Sequence, residues 1–114
     1  MSLNDVSEEY IDVKDALNRV GGNMDLYKRL LKRFVEGSQL GELNTVLQAG
    51  NAEEASRLAH TIKGVAANLS LIKLRDITMD LEIIIKGNLD HSAKLAELNQ
   101  AYDETVRLIT ETIS

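Results

Sequence analysis

The sequence predicts an all-α fold: an antiparallel up-down-up-down four-helix bundle with an additional short helix at its N-terminus. Three observations carry that expectation. The 114 residues contain no proline, the residue that punctuates turns and breaks helix interiors by removing a donor and clashing with the preceding turn. Apolar residues recur at spacings of three and four, the period of a helix face. Glycines and small polar residues cut the chain into five segments with short connections.

The first segment runs roughly from Ser7 to Val20 and stops at Gly21-Gly22. Residues 1–6 before it are expected to be a disordered or expression-derived N-terminus of a single domain spanning 1–114. Asn23 is suited to cap a long second helix, because its side-chain oxygen can accept from an unpaired amide of the first turn. Ala49-Gly50-Asn51 closes that helix. Leu26, Leu30 and Phe34 form one stripe on it, and Leu40, Leu43 and Leu47 form another, rotated around the axis, with Gly37 and Gly41 between them. Two readings stay open. Either the helix bends and changes neighbours along its length, or part of its apolar surface is exposed for docking.

Asn51 can cap a third helix, whose stripe is Ala55, Leu58, Ala59, Ile62, Ala66 and Leu69. Ser70 can cap a fourth, with Leu71, Leu74, Ile77, Leu81 and Ile85, ending at Gly87-Asn88. The fifth starts near Ser92 and carries Leu95, Leu98, Tyr102, Val106, Ile109 and Ile113. Four amphipathic helices on short turns pack most economically as an antiparallel bundle, with the short first helix lying across one end.

Composition excludes several classes of function. Thirteen Lys+Arg against 18 Asp+Glu give a net charge of −5, whereas a nucleic-acid binder needs a basic surface. With no cysteine, disulfides, thiolate zinc sites and cysteine nucleophiles are excluded together. No apolar run reaches the roughly 20 residues of a membrane span. The start, Met1 to Asp5, has neither a basic nor an apolar stretch, so no signal peptide is expected. A cytoplasmic protein without membrane insertion is the resulting expectation. Three tyrosines and one phenylalanine are too few for a surface that stacks nucleotides or sugars. There is no Gly-rich phosphate loop and no Asp cluster for Mg²⁺, so no autonomous kinase or nucleotide site and no cofactor are expected. A metal-binding bundle also fails, because neither histidine has a Glu three residues before it.

Of the two histidines, His91 falls in the Asn88–Ser92 connection and reads as a solvated turn residue. His60 sits on the third helix, about 160° from the centre of its apolar stripe at 100° per residue, and should face solvent. Lys63 and Gly64 follow at three and four residues, on the same face, and Ala67 lies one turn further. A mid-helix glycine costs about 1 kcal/mol relative to alanine. That cost is understandable if another molecule must approach the backbone beside His60.

The run Ala59-His60-Thr61-Ile62-Lys63-Gly64-Val65-Ala66-Ala67-Asn68-Leu69 resembles the signature of histidine-containing phosphotransfer (HPt) domains: His, two variable residues, Lys, Gly, then small residues. The resemblance extends over nearly the whole chain, through the Gly-Gly turn, LYKRLLKRF, QAGNAEEASRLAH and DLE. One departure is Ser70, where many members have glycine; its capping capacity reads as a tolerated change in the turn.

The resemblance implies a monomeric phosphocarrier that takes a phosphoryl group on His60 and exchanges it with an aspartate of a response-regulator receiver domain, fed by a hybrid sensor histidine kinase. Mg²⁺ would belong to the receiver. Free imidazole titrates near about 6.5 and is mostly neutral, hence nucleophilic, at neutral pH. Lys63 would stabilise phosphoryl oxygens, and Gly64 would leave them room. Glu82, in the Leu81-Glu82 pair that matches a short element of the family, would orient the ring. It lies about 90° from its helix's stripe, at the boundary of the core. Arg57, Ala67, Asn68, Leu40 and Leu43 are the expected partner-binding residues. The rival reading is a helical-bundle adaptor of the same fold that is never phosphorylated.

Overall fold

Asn23 and Asn51 each open a helix as expected: their side-chain oxygens accept from the amides of Leu26 and Glu54, the first-turn donors that a helix cannot pair internally. The computed structural model describes residues 1–113, which fold as six α-helices after a short 3-10 turn, with no strand among the described residues. The helices are α1 (Val13–Arg19), α2 (Met24–Gly37), α3 (Leu40–Gln48), α4 (Ala52–Asn68), α5 (Ile72–Lys86) and α6 (Ser92–Ile113). The most extensive packing is between α4 and α5; α4 also packs on α3, and α6 packs on both α5 and α2. The core is aliphatic, with Leu31, Leu43, Leu58, Leu74, Leu81, Leu98 and Ile109 fully buried. Burying such a side chain contributes roughly 1.5–3 kcal/mol.

Several expectations are corrected. Residues 1–6 are an ordered part of the fold: Leu3–Asp5 form the 3-10 turn, it packs on α6, and Leu3 and Val6 are buried. Two apolar side chains spaced to enter the core outweigh the polar character of that segment. The first helix is shorter than expected and begins only at Val13, capped by Asp12.

The second helix is broken. Gly37 ends α2, Ser38 turns extended, and the Ser38 hydroxyl accepts from the Leu40 amide as α3 begins. The break turns the second stripe back toward the core that already holds the first. Leu40 and Leu43 are therefore buried, not exposed docking residues. The helix changes direction; it does not leave an apolar patch on α3.

Ser70 is also not a cap. Leu71 occupies that position, and Ser70 has φ +56°, the left-handed conformation that a glycine adopts without strain. Buried there, its hydroxyl donates to Asp15 at 2.7 Å and its carbonyl accepts from the Asp12 amide at 3.0 Å. Those bonds fasten α1 to the α4–α5 turn. Tyr27 does the same from α2, donating its hydroxyl to the Leu69 carbonyl at 2.7 Å. The far end of α4 is thus tied down by α1 and α2.

Candidate functional site

Because Ala55, Leu58, Ala59, Ile62 and Ala66 take α4's buried face, its other face is turned to solvent. His60 lies there with its side chain 69% exposed. Gly64 is exposed one turn on, and a β-carbon at that position would meet no atom within 4 Å. Nothing in the fold itself requires glycine here. Ala67 is half-buried and Asn68 exposed at the end of the same strip.

On one side of the strip, α5 brings up Glu82. Its side chain is only 6% exposed, with Oε2 lying 3.4 Å from His60 Nδ1. That separation is a little longer than a formed hydrogen bond. Lys63 Nζ donates to Glu82 Oε1 at 2.8 Å, and Lys86 Nζ stands 3.0 Å from Oε2. Burial alone would push the Glu82 carboxyl up, but the two ammonium groups outweigh it and hold the carboxyl down at about 2. The carboxylate is therefore ionised, and a buried charge needs such partners to be tolerable.

His60, Lys63 and Gly64 thus share one face as the helical spacing suggested, and Glu82 stands beside them, the position the resemblance implied. Glu82 is deeper than a boundary residue, and Lys63 is engaged with it. Arg57 is 60% exposed and paired with Glu54 one turn back on α4, apart from this cluster. Lys86 was not foreseen. Its signal was its place four residues after Glu82, where helix neighbours of opposite charge meet.

On the other side of the strip, between α4 and the α2–α3 break, lies an apolar cavity of about 560 Å³. Leu30, Phe34, Ile62, Val65 and Leu69 form its apolar lining, and Arg33 and Asn68 also line it. Val65 is 40% exposed there. His91 is half-buried in the α5–α6 connection, away from both features.

Such an arrangement presents an accessible imidazole whose Nδ1 faces a fixed carboxylate and whose other nitrogen is free to react. Two cations stand close by, and the backbone beyond Gly64 is bare. It suits a nucleophile toward an anionic electrophile carried by a second macromolecule. A sequence model described as the Hpt domain matches residues 29–110. No curated protein and no solved structure gives a significant match. No helix among the described residues is long and apolar enough to cross a membrane.

Proposed function

The chain belongs to the Hpt domain family, whose members serve histidine phosphotransfer in two-component systems, and on that premise we propose that it is the phosphocarrier of a multistep phosphorelay, with His60 the phosphoacceptor. The observation that carries this reading is the exposed His60 ring set against the buried Glu82 carboxylate, with the bare Gly64 face beside it.

Glu82 favours the tautomer with the proton on Nδ1, which leaves the Nε2 lone pair pointing outward. That lone pair attacks the phosphorus of an aspartyl phosphate on the receiver. The P–O bond to the aspartate breaks, and the aspartate leaves as a carboxylate. The ring keeps its Nδ1 proton and becomes cationic, and Glu82 accepts from that proton. The transition state is loose and spreads charge over three oxygens, so positioned cations do most of the work. Lys63 is one of them. Gly64 supplies clearance, and the Leu30–Phe34–Val65 cavity with Asn68 supports docking of the receiver's apolar surface. The Mg²⁺ belongs to the receiver, a hybrid sensor kinase is the upstream source, and the carrier works as a cytoplasmic monomer without kinase activity of its own. The pairing order of the helices and their short turns support an up-down-up-down bundle.

Incubation with a phosphorylated receiver domain tests the proposal. Acid-labile, base-stable phosphate should appear on the chain, be absent from His60→Gln, and form more slowly on Lys63→Ala. His60→Gln should shift stability by no more than about 0.5 kcal/mol, as for an exposed residue. No transfer would favour a purely structural adaptor, and phosphate mapping to His91 would show that the site is elsewhere.

A further inference from the structure

Glu82 is held by two ammonium groups, and only one of them has a part in the transfer above. Lys63 takes Oε1 of the carboxylate. Lys86 takes Oε2, the same oxygen that faces His60 Nδ1. Among the described residues, Glu82 is the only acidic side chain within ion-pair reach of Lys86. The Lys86 side chain is 63% exposed, against 28% for Lys63. Its long flexible stem can re-aim the charge without disturbing the core.

Charge counting gives this pairing a purpose. With the ring neutral, two lysines and one carboxylate leave the resting cluster with one net positive charge. Transfer of a phosphoryl group adds one negative charge overall: the dianionic phosphoryl is offset in part by the ring, which is cationic once Nε2 is bonded to phosphorus and Nδ1 keeps its proton. The phosphorylated cluster is then neutral. Without Lys86 it would carry a net negative charge beside a buried carboxylate, the arrangement that burial penalises most.

We propose that Lys86 is a second phosphoryl-binding cation of this site, which leaves Glu82 Oε2 when His60 is phosphorylated and pairs with the phosphoryl oxygens. The exchange is self-consistent, because the oxygen that Lys86 vacates is the one the Nδ1 proton needs. It rests on the reading of His60 as phosphoacceptor.

The full-length chain, labelled on Lys Nζ with ¹⁵N and treated with phosphoramidate as a small phosphoryl donor, provides the test. Phosphorylation of His60, followed by ³¹P resonance, should shift the Lys86 ammonium signal. Lys86→Ala should slow labelling by about tenfold, less than the roughly hundredfold or more for a buried charge-stabilising donor because solvent screens this exposed ammonium, and Lys86→Arg should restore most of the rate. If Lys86 acted only by propping Glu82, the defect would vanish in a Glu82→Gln background; the proposal requires that it persist there. An unmoved Lys86 signal, wild-type labelling by Lys86→Ala, or loss of the defect in the Glu82→Gln background would each overturn the role of Lys86 while leaving His60 as acceptor. Absence of any phosphohistidine at His60 in the wild type would overturn both.

Discussion

The two flanks of α4 differ in kind. Toward α5, the strip that carries His60 meets a buried carboxylate and two lysines. Toward α2, it meets an apolar hollow lined by Leu30, Phe34 and Val65. One helix thus separates charge from apolar contact by little more than its own diameter, with Gly64 on the bare strip between. The lesson is a division of labour. Electrostatics that must act on a transferring group are kept beside the ring, where burial strengthens them. Recognition, which needs area and tolerates imprecision, is placed on a mostly apolar hollow in which Arg33 is the one charged lining residue.

Breaking the boundary between the flanks should have the largest effect. Gly64→Gln should reduce transfer from a phosphorylated receiver about a hundredfold, the cost of displacing reacting groups by an ångström or so. Because a side chain there meets open space, the same variant should gain roughly 0.7 kcal/mol from helix propensity. Thermal melts and transfer assays on this one protein separate the two effects; transfer at the wild-type rate would mean that Gly64 does not serve access.

Val65→Asp attacks the apolar flank alone. Receiver affinity should fall about tenfold, near 1.4 kcal/mol, measured by titration calorimetry. Labelling of His60 by phosphoramidate should stay unchanged, since that donor needs no docking surface. A loss of small-donor labelling would show that the flanks are not separable.

Glu82→Gln attacks the charged flank and should leave docking intact. Here pH gives the sign. The folded carboxyl is held at about 2, below the ordinary glutamate value of 4.5, so its stabilisation is complete above 4.5 and is lost as pH falls through about 2. Wild type should exceed Glu82→Gln by on the order of 2 kcal/mol at neutral pH, and urea melts at descending pH should show the gap closing. A gap that does not depend on pH would point to packing rather than charge.

Ser70→Gly touches neither flank and should do least. Relief of the left-handed conformation returns about 1 kcal/mol, and loss of the hydroxyl bond to Asp15 removes about as much. The melting temperature should move by only a few degrees, with transfer unaffected.

How much of this was legible depends on how far each inference had to reach along the chain. The chemistry on α4 was readable because His60, Lys63 and Gly64 lie within five residues, where helical spacing alone sets their mutual positions. Glu82 was reachable through its place in a matching element, but its depth depends on how α4 and α5 pack, which spacing does not fix. Leu40 and Leu43 were misplaced because a helical wheel assumes one straight axis. Gly37 and Gly41 marked a weak point without saying that the axis would break at Ser38 and Gln39. The apolar hollow was illegible for the same reason, since it exists only where that break faces α4. Ser70 shows the opposite limit: a capping residue type was identified correctly, but the backbone placed it one position too early and used its hydroxyl on α1 instead.

The hydrogen bond from Tyr27 to the Leu69 carbonyl makes the protein its own spectroscopic reporter. The chain has three tyrosines and no tryptophan, so phenolate absorbance comes from three rings alone, and the difference between the wild type and Tyr27→Phe isolates the share of Tyr27. Burial, then the nearby Asp12 and Asp15 carboxylates, hold the Tyr27 hydroxyl far above the usual tyrosine range. Its phenolate can therefore form only as the α2–α4 junction opens. In an alkaline titration the Tyr27 absorbance should rise together with the loss of helical dichroism, and stability should fall as the pH climbs past about 10. An ultraviolet signal from one ring would thus time the release of the end of the helix that carries His60, with no label attached.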